Sequence, residues 1–271
     1  MDFVSKETIK RLLKDVKHIM QNPLIDNGIY YCHDDKDMLK GYALIIGPED
    51  TPYFGGNYFF EFKYPIDYPH TPPKVTYCTN GDEIRFNPNL YKCGKVCVSI
   101  LNTWSGDQWT SCQTISTVLL TLCSLLCKSP LLNEPGVNNT HHEIEKYSQI
   151  IEYSNLNIAV CQIVSKKESC YKSFFNLFYP YVKEHFLKNY DFYVEFATKK
   201  ANHYRLLEEA RLLENAKNSS KEKEKDTFEK KRDRADFIRM NFYSLSLLLD
   251  YDAILKKLKS CKDFLETELV T

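Results

Sequence analysis

Four prolines crowd into the nine residues Pro65-Ile66-Asp67-Tyr68-Pro69-His70-Thr71-Pro72-Pro73, and no other stretch restricts the fold so tightly. A proline fixes its own φ and lacks a backbone donor, so this stretch cannot continue a sheet and predicts an ordered turn. On one side lies the aromatic-rich alternation Tyr58 to Tyr64, and on the other Lys74 to Cys78; both read as strands. Upstream, Tyr42-Ala43-Leu44-Ile45-Ile46 ends at Gly47-Pro48, and Tyr53-Phe54-Gly55-Gly56-Asn57 marks a further turn. Residues 29–75 therefore predict an antiparallel meander. Before it, Ser5 can cap a helix over residues 5–20. Ile9, Leu12, Leu13, Val16, Ile19 and Met20 give that helix an apolar side, and Lys6, Lys10, Arg11, Lys14 and Lys17 a basic one. Taken alone, such a basic side reads as a solvated face. One helix followed by a meander is an α+β arrangement.

Thr114 to Cys127 predicts a buried helix that stops before Lys128-Ser129-Pro130, because a residue preceding proline avoids helical geometry. Asn133-Glu134-Pro135-Gly136 reads as a turn. Helical patterns resume from His141 to Val164 and from Ser169 to about Leu213. Asn215 to Arg234 is rich in Lys and Glu and predicts a solvated helix or connector. Phe237 to Leu265 recovers apolar periodicity and is expected to pack back as one or two helices. The division that follows is a core over residues 1–165 and a helical extension over 166–271, with a charged linker near 215–234.

Lys+Arg and Asp+Glu both number 36, so no overall basic field favours nucleic acid or an anionic membrane. No apolar run approaches the ~20 residues that span a bilayer. Asp2, Lys6 and Glu7 stand where a signal peptide needs an apolar segment. The expected location is the cytosol, the nucleus or both. Ten cysteines raise the options of disulfides or zinc. Disulfide frameworks belong to small secreted domains, and the spacings Cys93/Cys97 and Cys123/Cys127 are wider than the Cys-x2-Cys pairs of structural zinc. Reduced thiols, one of them functional, and no metal are expected.

The functional thiol is sought in Asn87-Pro88-Asn89-Leu90-Tyr91-Lys92-Cys93-Gly94-Lys95-Val96-Cys97. A thiol that ionises is a nucleophile and a carrier of acyl groups. A neutral amide such as that of Asn89 can donate to the oxyanion formed when a thioester is attacked. The pairing points to acyl transfer through a thioester on Cys97. Cys93 is the nearest rival, but the glycine-led spacing favours Cys97. A cysteine hydrolase would need a base such as His141 or His142 beside the thiol, and the local pattern gives it no support. Trp104 and Trp109 read as packing or loop anchors.

Taken in order, these features resemble the ubiquitin-conjugating enzyme (E2) family over about residues 5–165. The likeness rests on the basic first helix, Gly47-Pro48, Asp50-Thr51-Pro52-Tyr53-Phe54-Gly55-Gly56, Tyr64-Pro65, Tyr68-Pro69 and Thr71-Pro72-Pro73-Lys74-Val75. The Pro-Asn and Gly-x-x-Cys elements, Trp109 and the buried helix complete it. It implies the UBC fold, a four-stranded antiparallel meander with flanking helices, here with a helical carboxyl-terminal extension. Most members carry His-Pro-Asn where this chain has Asn87-Pro88-Asn89. That variant looks like a subgroup of larger E2s, the Z-type enzymes and the giant hybrid E2/E3 proteins. Leu101-Asn102-Thr103-Trp104-Ser105-Gly106 and Asn133-Glu134-Pro135-Gly136 support the same likeness. Asn189-Tyr190-Asp191-Phe192-Tyr193 and the tail are similar to the Z-type extension.

The resemblance also implies roles. Cys97 would take ubiquitin, or a related modifier, from an activating enzyme (E1) and pass it to substrate lysine or to an E3 ligase. Asn89 would stabilise the oxyanion or hold the loop, and Asn87 would make loop hydrogen bonds in place of the usual histidine. Glu134 sits near the position of an acidic gate that orients the attacking lysine, with Asn133, His141 and His142 as competing polar candidates. Lys10, Arg11 and Lys14 match the E1-facing places. His70, Ser111 and Cys112 lie on the E3-facing loops, where Thr110-Ser111-Cys112 replaces a frequent Ser-Pro-Ala. Protein substrates complete the partners; no cofactor is expected, since ATP is consumed by the E1. A modifier other than ubiquitin, or a non-catalytic E2-like adaptor, are the alternatives.

Overall fold

In a computed structural model, residues 4–79, 84–169, 171–218 and 234–268 are described. Helix α1 spans Lys6–Gln21, and Ser5 caps it by accepting the Thr8 amide at 3.0 Å. Its buried stripe is Thr8, Leu12, Asp15 and Ile19. Leu13 and Met20, expected on the apolar side, are instead 59% and 63% exposed. The helix is rotated because Asp15 is drawn inward: it receives the Tyr68 hydroxyl at 2.5 Å and the Arg11 Nε at 2.9 Å.

The meander follows as β1 (Ile29–His33), β2 (Lys40–Ile46), β3 (Asn57–Lys63) and β4 (Lys74–Tyr77), antiparallel and in sequential order. Between β2 and β3 the chain folds tightly, with Gly47 N donating to Gly56 O at 2.8 Å and Gly55 N to Gly47 O at 2.9 Å. A side chain at Gly47 would put its Cβ 1.7 Å from the Tyr53 carbonyl oxygen, so only glycine fits. The proline-rich stretch links β3 to β4 outside the sheet, as expected, and carries a cis Tyr68-Pro69 bond.

Strand alternation splits the sheet into two apolar faces. The register aligns Ala43 with Phe60 and Gly41 with Phe62 on one, and Leu44 with Phe59 on the other. Both faces are buried. The first packs with the core that contains α2 (Ile115–Leu125), whose Ile115, Val118, Leu119 and Leu122 are enclosed. The second is covered by the chain after residue 171: Phe175 stacks on Phe59 at 3.7 Å, Phe174 on Tyr42 at 4.6 Å and Tyr181 on Tyr30 at 4.2 Å.

Helix α3 (Ile144–Ser154) runs on into a π-helical stretch, Asn155–Gln162. Asn155 sits where it can accept the Tyr58 hydroxyl at 2.6 Å and donate to Phe54 O at 2.9 Å. A 3-10 turn, Ser173–Leu177, leads into the long α4, Tyr179–Asn218. Most of the expected charged linker, residues 219–233, lies outside the described residues.

Residues 237–265 depart from the expected helices. They begin with a hairpin, β5 (Phe237–Arg239) and β6 (Ser246–Leu248), and only then form α5, Tyr251–Glu268. The local period explains this: Ile238 and Met240 are buried while Arg239 between them is exposed, an alternation of two. Helix α5 packs on α4 and ties to the core where the Cys261 thiol donates to Cys161 O at 3.3 Å. No helix among the described residues is long and apolar enough to cross a membrane.

Candidate acyl-transfer site

Asn87 is fully buried and organises the loop that follows it. Its Nδ2 donates to Leu125 O at 2.7 Å, at the end of α2, and to the Tyr53 hydroxyl at 3.0 Å. Its Oδ1 accepts the Asn89 amide N–H at 2.9 Å. Pro88 stands between, supplying no donor and a fixed φ, so the turn needs that side-chain acceptor to hold Asn89. The chain then folds back on itself, with Tyr91 N donating to Lys95 O and Gly94 N to Tyr91 O, each at 2.9 Å. Gly94 takes a φ of +88°, which suits glycine.

That fold-back brings Cys97 against Asn89. The Cys97 N–H donates to Asn89 O at 2.9 Å, and the Asn89 Nδ2 donates to Cys97 O at 2.5 Å. Asn89 Oδ1 is buried and finds no hydrogen-bond partner among the described residues. Cys97 itself is 3% exposed.

All nine cysteines among the described residues are free. Burial pushes the thiol pKa up at Cys32, Cys78, Cys123 and Cys127, which disfavours the thiolate needed for nucleophilic work. At Cys161 the hydrogen bond with Cys261, aided by burial, acts the same way. Cys93 and Cys112 are exposed. Among the described residues Cys97 is the cysteine whose backbone is bonded to an asparagine amide group.

Glu134 ends the short 3-10 turn Pro130–Asn133. Its neighbour Asn133 donates to Leu125 O at 3.2 Å and reaches Asn87 Oδ1 at 3.4 Å, so the turn is fastened to the same asparagine network. Glu134 Oε2 accepts the hydroxyl of Tyr243, from the tip of the β5–β6 hairpin. Burial, reinforced by that bond, holds the Tyr243 pKa well above its ordinary value. The Arg85 guanidinium lies 3.8 Å from the Tyr91 ring and 4.5 Å from the Tyr243 ring, and donates to Pro88 O. His141 and His142 stack on each other at 4.7 Å, and the His141 ring meets Phe242 at 5.2 Å. Neither histidine hydrogen-bonds Cys97 among the described residues, so the dyad a hydrolase needs is not assembled.

Lys10 and Lys14 are exposed on α1, but Arg11 is not displayed with them. Its Nε pairs with Asp15, Nη2 donates to Gln113 O at 2.6 Å and Nη1 to Ser111 O. The cation binds the 110–113 loop to the helix. His70, Ser111 and Cys112 are exposed. Trp109 joins their two loops, donating Nε1–H to Pro69 O at 2.7 Å. Trp104, expected as an anchor, is 43% exposed. No group of three or more His, Cys, Asp or Glu among the described residues could hold a metal.

No motif in the sequence singles out Tyr243, Arg85 or Asp15 as belonging in or around this site. Tyr243 gave no signal because 109 positions separate it from Glu134. Asp15 could have been suspected from the i,i+4 spacing Arg11/Asp15.

A family model described as ubiquitin-conjugating enzyme matches residues 11–154. Ubiquitin-conjugating enzyme E2 Z of Danio rerio is 40% identical over 192 residues, covering 70% of this chain and 57% of that protein. E2 Z of Homo sapiens is 39% identical over 190 residues, covering 69% of this chain and 52% of that protein. A probable ubiquitin-conjugating enzyme E2 26 of Arabidopsis thaliana is 41% identical over 140 residues, covering 49% of this chain and 24% of that protein. The chain thus spans little more than half the length of the E2 Z relatives.

Proposed function

The chain belongs to the ubiquitin-conjugating enzyme family, and from that premise we propose that it works as an E2 of the Z type, carrying ubiquitin as a thioester on Cys97. The observation that carries this reading is the reciprocal bonding of Asn89 and Cys97, inside the span that matches the family.

The chemistry has two steps. In the first, the Cys97 sulfur attacks the thioester carbonyl of E1-bound ubiquitin; a new C–S bond forms and the E1 thiol leaves. In the second, a lysine amine attacks the Cys97 thioester, the C–N bond of an isopeptide forms, and the Cys97 sulfur departs and recovers a proton. The amine must lose its proton along the way, and a carboxylate such as Glu134 can orient it and assist. Negative charge gathers on the carbonyl oxygen between these events. An amide nitrogen carries two hydrogens, and Asn89 spends one on Cys97 O, which leaves one to donate to that oxyanion. The same bond gives Asn89 its second role, fixing the loop.

Lys10 and Lys14 offer an E1 a basic face, with Arg11 contributing structure beneath it. His70, Ser111 and Cys112 form the surface for an E3. On this reading residues 1–165 are the catalytic core and 166–271 its extension, and the chain acts in the cytosol or nucleus on protein substrates.

The test is E1-, ATP- and ubiquitin-dependent loading on a non-reducing gel. A thiol-sensitive adduct formed by wild type and Cys93→Ala but absent from Cys97→Ala is expected. Asn89→Ala should load and then discharge to lysine more slowly. Failure of wild type to load from either a general or a Z-type-specific E1 would refute the reading.

A further inference from the structure

The carboxyl-terminal hairpin makes its closest polar contacts with the loop that bears Glu134, rather than with remote surface. Glu143 accepts the backbone amides of Asn241 at 2.6 Å and Phe242 at 3.1 Å. Burial opposes ionisation of Glu143, but these two amide bonds, helped by the adjacent His142 and His141, outweigh it and hold its carboxyl below the ordinary range. With the tip anchored so, Tyr243 and Ser244 both adopt left-handed backbone conformations, at φ +58° and +50°. Neither is glycine, so the conformation persists only because the surroundings fix it. What it achieves is delivery of the Tyr243 hydroxyl to Glu134 Oε2.

Tyr243 is held between two residues that are themselves bonded. Arg85 lies over its ring, Tyr147 packs beside it at 5.8 Å, and the Tyr147 hydroxyl donates to Arg85 O at 2.6 Å. Since Arg85 also stacks on Tyr91 and donates to Pro88 O, one cation joins the hairpin tip to the loop carrying Asn89 and Cys97. The tyrosine bond is the sole hydrogen bond to the Glu134 carboxylate among the described residues.

We propose that the extension completes the acyl-transfer site, with Tyr243 as a positioning residue that fixes the Glu134 carboxylate for the incoming amine. The proposal rests on reading Glu134 as the amine-orienting carboxylate. A carboxylate oxygen occupied by a fixed donor leaves its fellow, Oε1, with a defined direction in which to accept an amine hydrogen. Without that donor the side chain turns freely, and the productive geometry becomes one of several.

Tyr243→Phe retains the ring against Arg85 and Tyr147 and removes only the hydroxyl. In the full chain it is expected to load ubiquitin on Cys97 at the wild-type rate and to melt cooperatively no more than a few degrees below wild type. Discharge to free lysine should slow by about tenfold at neutral pH, the scale of a lost hydrogen bond to a charged, positioned group. The defect should shrink toward about pH 10, where free lysine loses its proton unaided. The titratable groups facing the pair are Arg85, Tyr91, Tyr147 and Tyr53, all retained in the variant. Glu134→Gln should show the same profile, and Glu134→Gln with Tyr243→Phe should be no slower than Glu134→Gln alone. Glu134→Gln slow and Tyr243→Phe at the wild-type rate would overturn this proposal while leaving the E2 reading intact. A deficit equal at every pH and additive with Glu134→Gln would overturn it too, as the mark of a general loop disturbance. If wild type never loads, the E2 reading falls and takes the proposal with it.

Discussion

Replacing Asn87 with alanine should cost the protein about 3 kcal/mol of stability. Three well-placed bonds are lost, at 2.7 Å to Leu125 O, 3.0 Å to the Tyr53 hydroxyl and 2.9 Å from the Asn89 N–H. The partners do not suffer alike. Tyr53 still donates to Phe86 O at 2.6 Å, and Leu125 O still accepts from Asn133 at 3.2 Å. The Asn89 N–H is left without its acceptor beside a buried loop, at about 1–3 kcal/mol, and the void at a position with no exposure adds to it. Asn87→Asp keeps the shape and the acceptor for Asn89 but puts one oxygen where Nδ2 donated to Leu125 O and the Tyr53 hydroxyl. A buried carboxylate so placed should destabilise more than alanine does. Urea unfolding monitored by intrinsic fluorescence measures both, with the midpoint falling at unchanged slope. A loss below about 1 kcal/mol for Asn87→Ala, or an aspartate variant more stable than the alanine one, would refute the claim that this side chain organises the loop.

Arg11→Ala should lower stability by about 2 kcal/mol, since among the described residues the largely buried Asp15 keeps only Tyr68 as partner and the 110–113 loop loses its tether. Lys10→Ala should leave the urea midpoint nearly unchanged and affect only E1-dependent loading; equal destabilisation by both would contradict the assignment. Glu143 has a depressed carboxyl pKa, so its anchoring of the hairpin tip is complete above the ordinary glutamate range and is lost as pH falls through that range to the lowered folded value. Wild type should therefore lose stability relative to Glu143→Gln on acidification toward about pH 4, read as the change in urea midpoint with pH. A gap between the two that stays constant over that range would contradict it.

The parts of this molecule that the sequence disclosed are those built from neighbours along the chain. Strands β2 to β4 are legible because aromatic alternation and prolines act over a few residues, and the 87–97 loop because it closes on itself. Arg11 read as a displayed cation since its acceptors, Ser111 O and Gln113 O, are backbone oxygens and carry no residue signature. The residues of the β5–β6 hairpin suit a helix as well as a strand, because short apolar runs fit either period and only packing decides. Tyr243 was invisible for the plainest reason: its meaning lies wholly in a contact across the fold.

The covering of the sheet's second face has a consequence for how such a chain can change through descent. Leu44, Phe59 and Cys78 are enclosed on the side that Phe174, Phe175 and Phe178 close over. A lineage that lost the later residues would inherit an oily sheet facing water, and would have to replace those residues with polar ones before it could stay dispersed. The tail is therefore no detachable appendage. Its gain and its retention are written into positions far upstream, and any shortened descendant should betray itself there.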